Sequence, residues 1–342
     1  MIGPYVHNID PVMGSLWGLH LWWYGLAYAL GFVAIYLFLR SRRGELGFTA
    51  VMVYDLSILV ATGVLVGGRL VEVVFYEWPF YRSHPHLMPA YWLGGMATHG
   101  LLLGAMAGIL LFCRMHRQSF LVIADALAIP AAFILGFGRI GNFIDGLIVG
   151  SPTDAWWAVK FPDAEGFRHP VVLYDAIKNL LLVPLLLLVY RQRPAPGAVT
   201  GLFLFAYAGL RIVVDLFREY PTTLLGLATG QILNIAMSLA GLALLAWCVT
   251  RRSRLSASGH SDDNALLPKP RADGVGWRPA VLAALVAFSL VIPSDWTQDV
   301  PDRYGKRHPG LRHSTLYPAL ESLSPAKPPT AAATTTPLQL TQ

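Results

Sequence analysis

AVMVYDLSILVATGVLVGGRLVEVV, residues 50–74, is apolar over nearly its whole length yet carries Asp55, Arg69 and Glu72. A helix needs about 20 largely apolar residues to cross the hydrocarbon of a bilayer. This stretch meets that length. Six others accompany it: Leu16 to Leu39, Tyr91 to Phe112, Leu121 to about Ile140, Val171 to Tyr190, Val199 to Phe217 and Leu224 to Thr250. Basic stops follow the first, third, fifth and seventh runs, reading RSRR, CRMHR, RQR and RRSR. An eighth run, Ala280 to Pro293, is short for a span and is left open between crossing and lying at the interface. Composition agrees: of 342 residues, 55% are hydrophobic and 13% charged, against about 25% charged in a soluble domain. Mean hydropathy is +0.50. These values exclude a soluble enzyme, a disordered chain and a nucleic-acid binder. The expected fold class is all-α, a polytopic membrane helix bundle of seven core transmembrane helices with a small outward cap.

The net charge of +6 belongs to the loops rather than to a nucleic-acid surface. Arg40, Arg42, Arg43, Arg114, Arg117 and Arg191 gather at one end of the bundle, while the other end carries Arg82, Lys160, Arg168 and Arg218. That bias puts the basic end in the cytoplasm and the N-terminus outside. The organisation expected is a membrane body at 1–252, a flexible cytoplasmic linker at 253–277, the candidate eighth helix at 278–294 and a disordered tail at 295–342. The linker is rich in Ser, Asp, Gly and Pro, and the tail ends in SPAKPPTAAATTTPLQLTQ. The outward loop from about Ile144 to Pro170 contains Trp156 and Trp157 and is expected to form the cap. Cys113 and Cys248 sit at ends of apolar segments and suggest neither a disulfide framework nor a metal site.

Ionisable groups inside apolar helices cost several kcal/mol unless paired or set in a polar cavity, roughly 3 kcal/mol at the helix centre on insertion scales. They are therefore the places to look for function. Arg69 and Glu72 are spaced to share a helix face, as are Arg211 and Asp215. Arg139, within GFGRIGNFIDG, has no carboxylate three or four residues before it. His99 and Asn142 open to the same outward side; Asp145, Tyr207 and Arg218, with Asp175 and Lys178 in the fifth run, are further polar residues of the apolar segments. Arg69, Arg139 and Arg211 are expected to open into one outward cavity. Three arginines with a histidine and an asparagine make an anion site, since the guanidinium fork gives a phosphate two parallel hydrogen bonds. The alternative is that each arginine neutralises a nearby carboxylate and ties helices together. Gly136, Gly138, Gly141 and Gly146 permit close helix approach or a broken helix with exposed N–H groups. Gly94, Gly95, Gly100 and Gly104 read as a second packing seam. No nucleotide-binding glycine pattern stands in a strand context.

These strings resemble the prolipoprotein diacylglyceryl transferase family. GRIGNFIDG, residues 138–146, looks like its signature, with Arg139 and Asn142 in the signature positions. GGMATHG, residues 94–100, resembles the segment with the family's essential histidine, here His99. GGRLVEVVFY at 67–76 aligns Arg69, and WYG at 23–25 aligns Tyr24. RHPVVLYD at 168–175 and GLFLFAYAGLRIVVDLFRE at 201–219 complete the likeness, the latter carrying Tyr207, Arg211, Asp215 and Arg218. The resemblance covers about residues 10–252. Departures are Trp22 where a histidine is usual, Leu147 where an acid is usual, and Val171-Val172 where Ser-Gln is usual. Their apolar character raises the expectation of an altered acceptor.

The resemblance implies transfer of a diacylglyceryl group from phosphatidylglycerol to the lipobox cysteine of a prolipoprotein, at the outer leaflet of the bacterial inner membrane. His99, Arg139 and Arg211 are then the catalytic residues. Tyr24, Arg69, Asn142, Asp145, Tyr207, Asp215 and Arg218 are the substrate-binding ones. Expected partners are phosphatidylglycerol, a prolipoprotein lipobox peptide and membrane lipids, with no nucleic acid. No metal or organic cofactor is expected, and the chain is expected to be a monomer. A phospholipid-dependent transferase with another acceptor, a lipid transporter and a lipid-binding scaffold are the competing readings.

Overall fold

In hydrocarbon, backbone N–H and C=O groups find no water, so apolar runs of this length satisfy them internally as helices. The computed structural model describes residues 4–218, 223–224, 227–257, 274–294 and 313–318. Its helices are α1 (Trp23–Arg42), α2 (Ala50–Val71), the short α3 (Trp78–Ser83), α4 (Thr98–His116), α5 (Phe120–Asp145), α6 (Val171–Arg191), α7 (Ala198–Asp215), α8 (Thr229–Ala257) and α9 (Arg278–Ser289). Seven of these, all but α3 and α9, are long and apolar enough to cross a membrane. A π-helical turn, Glu72–Tyr76, continues α2 outward.

Glycine decides how closely the helices approach. A Cβ on Gly63, Gly67, Gly100, Gly104 or Gly108 would fall on the backbone of the facing helix, so α2 and α4 meet backbone to backbone. The expected seam is thus present at Gly100 and Gly104. Gly94 and Gly95 lie outside it, at φ 88° and 83°. Those left-handed residues hold 94–97 out of the helix, which is why α4 starts at Thr98 rather than near Tyr91. α5 packs on α1 where Gly31 meets Ile134 and Gly141 meets Tyr24, and on α6 where Gly136 meets Leu180. GRIGNFID is unbroken helix, ending at Gly146 in the left-handed conformation; its glycines serve close approach, and the broken-helix alternative is not what forms.

At the basic end, Asp125 caps α7 from a neighbouring helix, accepting from the Gly197 and Thr200 amides and the Thr200 hydroxyl, each at 2.7 Å. Cys113 and Cys248 are both buried; Cys248 donates to the Pro196 carbonyl at 3.4 Å, beside that cap. The opposite end carries the cap. Strand β1 (Tyr5–Val6) pairs in parallel with β4 (Val159–Lys160), while β2 (Val12–Leu16) and β3 (Leu19–Trp22) form a hairpin. The hairpin takes up the first residues of the run expected to span from Leu16. A further hairpin joins β5 (Thr223–Leu224) and β6 (Leu227–Ala228). The cap therefore draws on the N-terminus as well as on residues 144–170.

The C-terminal part departs from expectation. α8 extends to Ala257, so residues 253–257 are helix; residues 258–273, most of the expected linker, lie outside the described residues. α9 lies along α1 and α2. At its start Arg278 pairs with Asp55 at 2.6 Å, and beyond its end the Leu290 carbonyl accepts from the Trp22 amide at 2.9 Å. Residues 313–318 are docked, replacing the expected disorder there. Tyr317 is buried with Trp22, Phe80 and Leu93, its hydroxyl accepts from the His20 amide, and Trp92 donates to the Leu316 carbonyl. Burial pushes the Tyr317 hydroxyl up to about 12. The rest of the tail lies outside the described residues.

Candidate active site

Arg139, Arg211 and Lys178 converge on one carboxylate, Asp175, which has no exposed surface. Arg139 Nε lies 2.6 Å from Asp175 Oδ2, and Lys178 Nζ lies 2.9 Å from Oδ1. Arg211 shares Oδ2 with Arg139 and places its Nε 3.1 Å from Asp215. Asn234 of α8 donates to Asp215 at 3.4 Å. Arg139 also donates to Asn142 Oδ1 at 3.1 Å, one helical turn on. The Lys178 ammonium sits 4.1 Å from the centre of the Tyr207 ring and donates to Asn179 at 2.7 Å. Among the described contacts, Arg139, Arg211 and Lys178 face the carboxylates of Asp175 and Asp215. At a rise of about 1.5 Å per residue, Asp175, Arg211 and Arg139 lie roughly 6 to 9 Å inside the outward helix ends. The two arginines keep 24% and 12% of their side chains exposed, enough for a ligand to reach them. Nothing lies within 4 Å of where a Cβ on Gly138 would stand, so that position faces open space.

The sequence-predicted residues separate into those that join this cluster and those that do not. Arg139, Arg211, Asn142, Tyr207 and Asp215 join it. Tyr24 borders it from α1, packed on Gly141 with its hydroxyl 3.3 Å from that of Tyr28. Arg218 stands just beyond the end of α7. Arg69 does not open into the same cavity. Its donors go to the carbonyls of Leu87, Met88, Ala90, Gly94 and Gly95, and the guanidinium sits against the rings of Tyr81 and Tyr91. It is 4% exposed and organises the loop before α4, so a phosphate would find its fork already occupied. Asp145 is fully enclosed at the end of α5, which removes it as a surface for substrate. His99 is exposed in the first turn of α4, its Nδ1 3.0 Å from the Tyr76 hydroxyl.

Asp175 and Lys178 stand in the cluster, although the sequence reading gave them no role. The signal was present: an acid and a base one turn apart inside an apolar helix. A neighbouring polar contact joins them on the outward side, where the Tyr174 hydroxyl accepts from Trp157 at 2.6 Å and lies 3.0 Å from His169. The four departures from the family pattern are packing positions. Trp22, Val171 and Val172 are buried, and Leu147 packs on the cap cluster. A cavity of about 440 Å³ at the basic end is lined by Glu45, Asp125, Tyr190 and Arg193; its carboxylate Asp125 is engaged in capping α7.

A bundle with seven helices long enough to span, carrying an arginine pair on one buried acid near its capped end, defines a multi-pass membrane protein. The model of the prolipoprotein diacylglyceryl transferase family matches residues 11–247, and the chain belongs to that family. Relatives agree. The phosphatidylglycerol–prolipoprotein diacylglyceryl transferase of Pseudoalteromonas atlantica is 38% identical over 262 residues, 74% of this chain and 93% of the relative. That of Nitrosomonas europaea is 42% identical over 252 residues, 70% and 90% of the two chains. That of Geobacter sulfurreducens is 40% identical over 255 residues, 72% and 97%.

Proposed function

We propose that the chain transfers the diacylglyceryl group of phosphatidylglycerol to the lipobox cysteine of a prolipoprotein, in the bacterial inner membrane and from its outer side. The observation that carries this reading is the Arg139–Asp175–Arg211 cluster, where two guanidinium groups stand on one buried carboxylate. A phosphodiester headgroup carries one negative charge, and the guanidinium forks suit its oxygens. Asp175 holds both arginines in place before substrate arrives, so little reorganisation is left for the reaction itself.

In the transfer, the cysteine sulfur attacks the glyceryl carbon bonded to the phosphate oxygen. A carbon–sulfur bond forms, the carbon–oxygen bond breaks, glycerol phosphate leaves with the electron pair, and the thiol proton goes to a base. Arg139 and Arg211 stabilise the charge gathering on the leaving phosphate. Asn142 and Tyr24 orient the glycerol and headgroup. Tyr207 and Asp215 hold Lys178 and Arg211, and Arg218 adds positive charge at the entrance. His99 serves the acceptor side: Tyr76 holds Nδ1, leaving Nε2 to take the thiol proton, because the thiolate is the nucleophile. The apolar residues at the departures leave the ordinary lipobox acceptor in place.

The test is transfer by the purified chain in vesicles from phosphatidylglycerol labelled in its acyl chains to a lipobox peptide. Label moves to the cysteine peptide and not to its cysteine-to-serine counterpart. Lipid bound without transfer makes the chain a binding scaffold, and lipid moved between leaflets makes it a transporter.

A further inference from the structure

Two described stretches, 274–294 and 313–318, lie beyond residues 11–247, which the family model matches, yet they grip the first turn of α1 at several points. The Trp22 amide donates to the Leu290 carbonyl at 2.9 Å. A Cβ on Gly25 would come within 2.5 Å of the Ser289 carbonyl oxygen and 2.6 Å of that of Leu290. α9 therefore meets α1 backbone to backbone, one residue past Tyr24. Ile292 is fully buried among Tyr28, Phe32, Ala61 and Leu65, with Tyr24, Leu285 and Val286 packed on the same cluster. From the outward side, Tyr317 closes over Trp22, and its hydroxyl holds the His20 amide at 2.9 Å. The far end is tied by Arg278 to Asp55, which His116 also contacts at 3.1 Å.

We propose that this C-terminal segment is a positioning element for the lipid site, clamping the first turn of α1 so that Tyr24 stays seated on Gly141 beside Arg139 and Asn142. The clamp acts on phospholipid binding, a role that rests on the function proposed above. Tyr24 follows directly on Trp22 and Trp23, and Gly141 lies between Arg139 and Asn142 within one turn of α5. Movement of α1 by a fraction of an ångström is felt at that contact, where the Tyr24 Cα would stand 3.0 Å from a Cβ on Gly141. The segment touches neither arginine in any described contact; it also packs on α2, and α1 is the element that carries it to the Tyr24–Gly141 contact.

The experiment compares the full chain with Tyr317→Ala and Arg278→Ala, which loosen the clamp at opposite ends, and with Arg278→Lys, which keeps the charge facing Asp55. In vesicles, both alanine variants raise KM for phosphatidylglycerol about fivefold or more with kcat within about twofold, and Arg278→Lys stays near the wild-type values. A second measurement does not depend on activity. Spin labels at Trp23→Cys and Ile177→Cys, both exposed positions, are placed in a chain whose Cys113 and Cys248 are replaced by serine. Their distance distribution shifts or broadens in the alanine variants. Unchanged KM together with an unchanged distribution overturns the clamp, as does an equal fall in kcat for all three variants. A wild-type chain that does not use phosphatidylglycerol sinks the proposed function, while the distance measurement still decides whether the segment positions α1. If Tyr317→Ala does not fold, Arg278→Ala carries the same two readouts from the far end.

Discussion

Asp175 answers for three cations at once. Arg139 reaches it from α5, Arg211 from α7 and Lys178 from its own helix. Removing one partner of a buried pair leaves an uncompensated charge, which costs about 3–5 kcal/mol. Asp175→Asn keeps the shape but leaves three positive groups together, so a loss of stability of that order is expected. It is read by thermal unfolding in detergent against Asp175→Glu, which loses less. Equal stability of the asparagine variant and the wild type would show that the arginines do not depend on this acid. Sequence spacing made two of these contacts legible, since Arg211–Asp215 and Asp175–Lys178 obey the helical three- and four-residue rule. The Arg139–Asp175 pair joins two helices, so no spacing within one helix reveals it. Arg69 misled for the same reason: the carbonyls that take its donors lie 18 to 26 residues away in a loop.

Two glycines with the same lack of a side chain do opposite jobs. A Cβ on Gly104 would strike the Gly63 carbonyl, whereas a Cβ on Gly138 meets nothing within 4 Å. Gly104→Val therefore forces α2 and α4 apart and abolishes the folded protein. Gly138→Ala leaves folding intact or improves it by up to about 1 kcal/mol, because alanine is the better helix former. Its added methyl group meets open space, so KM for lipid stays near the wild-type value. Folded yield by size-exclusion chromatography and lipid titration separate the two outcomes. Normal folding of Gly104→Val would refute the backbone contact between α2 and α4. The seven spans were legible from apolar length, and the α2–α4 seam was partly legible from glycine density. The late start of α4 was not, because the left-handed backbone at Gly94 and Gly95 comes from the Arg69-centred loop, a contact between distant parts of the chain.

Across the whole molecule, the polar groups sort by end. The third opposite the basic end holds the arginine cluster, His99 and the cap, while the basic end holds helix caps and the two buried cysteines. This asymmetry follows from apolar length and loop charge. The C-terminal segment was the least legible part, because α9 is too short to read as a span and the Tyr317 contact joins residues almost 300 positions apart. The central claim is that Arg139 and Arg211, held by Asp175, stabilise the phosphate that leaves during diacylglyceryl transfer. The most direct measurement is the transfer rate of Arg139→Lys in vesicles saturated with phosphatidylglycerol and lipobox peptide, at matched folded amount. Lysine keeps the charge but loses the planar fork, and losing one aligned donor to a developing charge costs about a hundredfold or more in kcat. The account predicts that fall with the protein still folded. A kcat within a few-fold of the wild-type value would contradict it and remove Arg139 from the leaving phosphate.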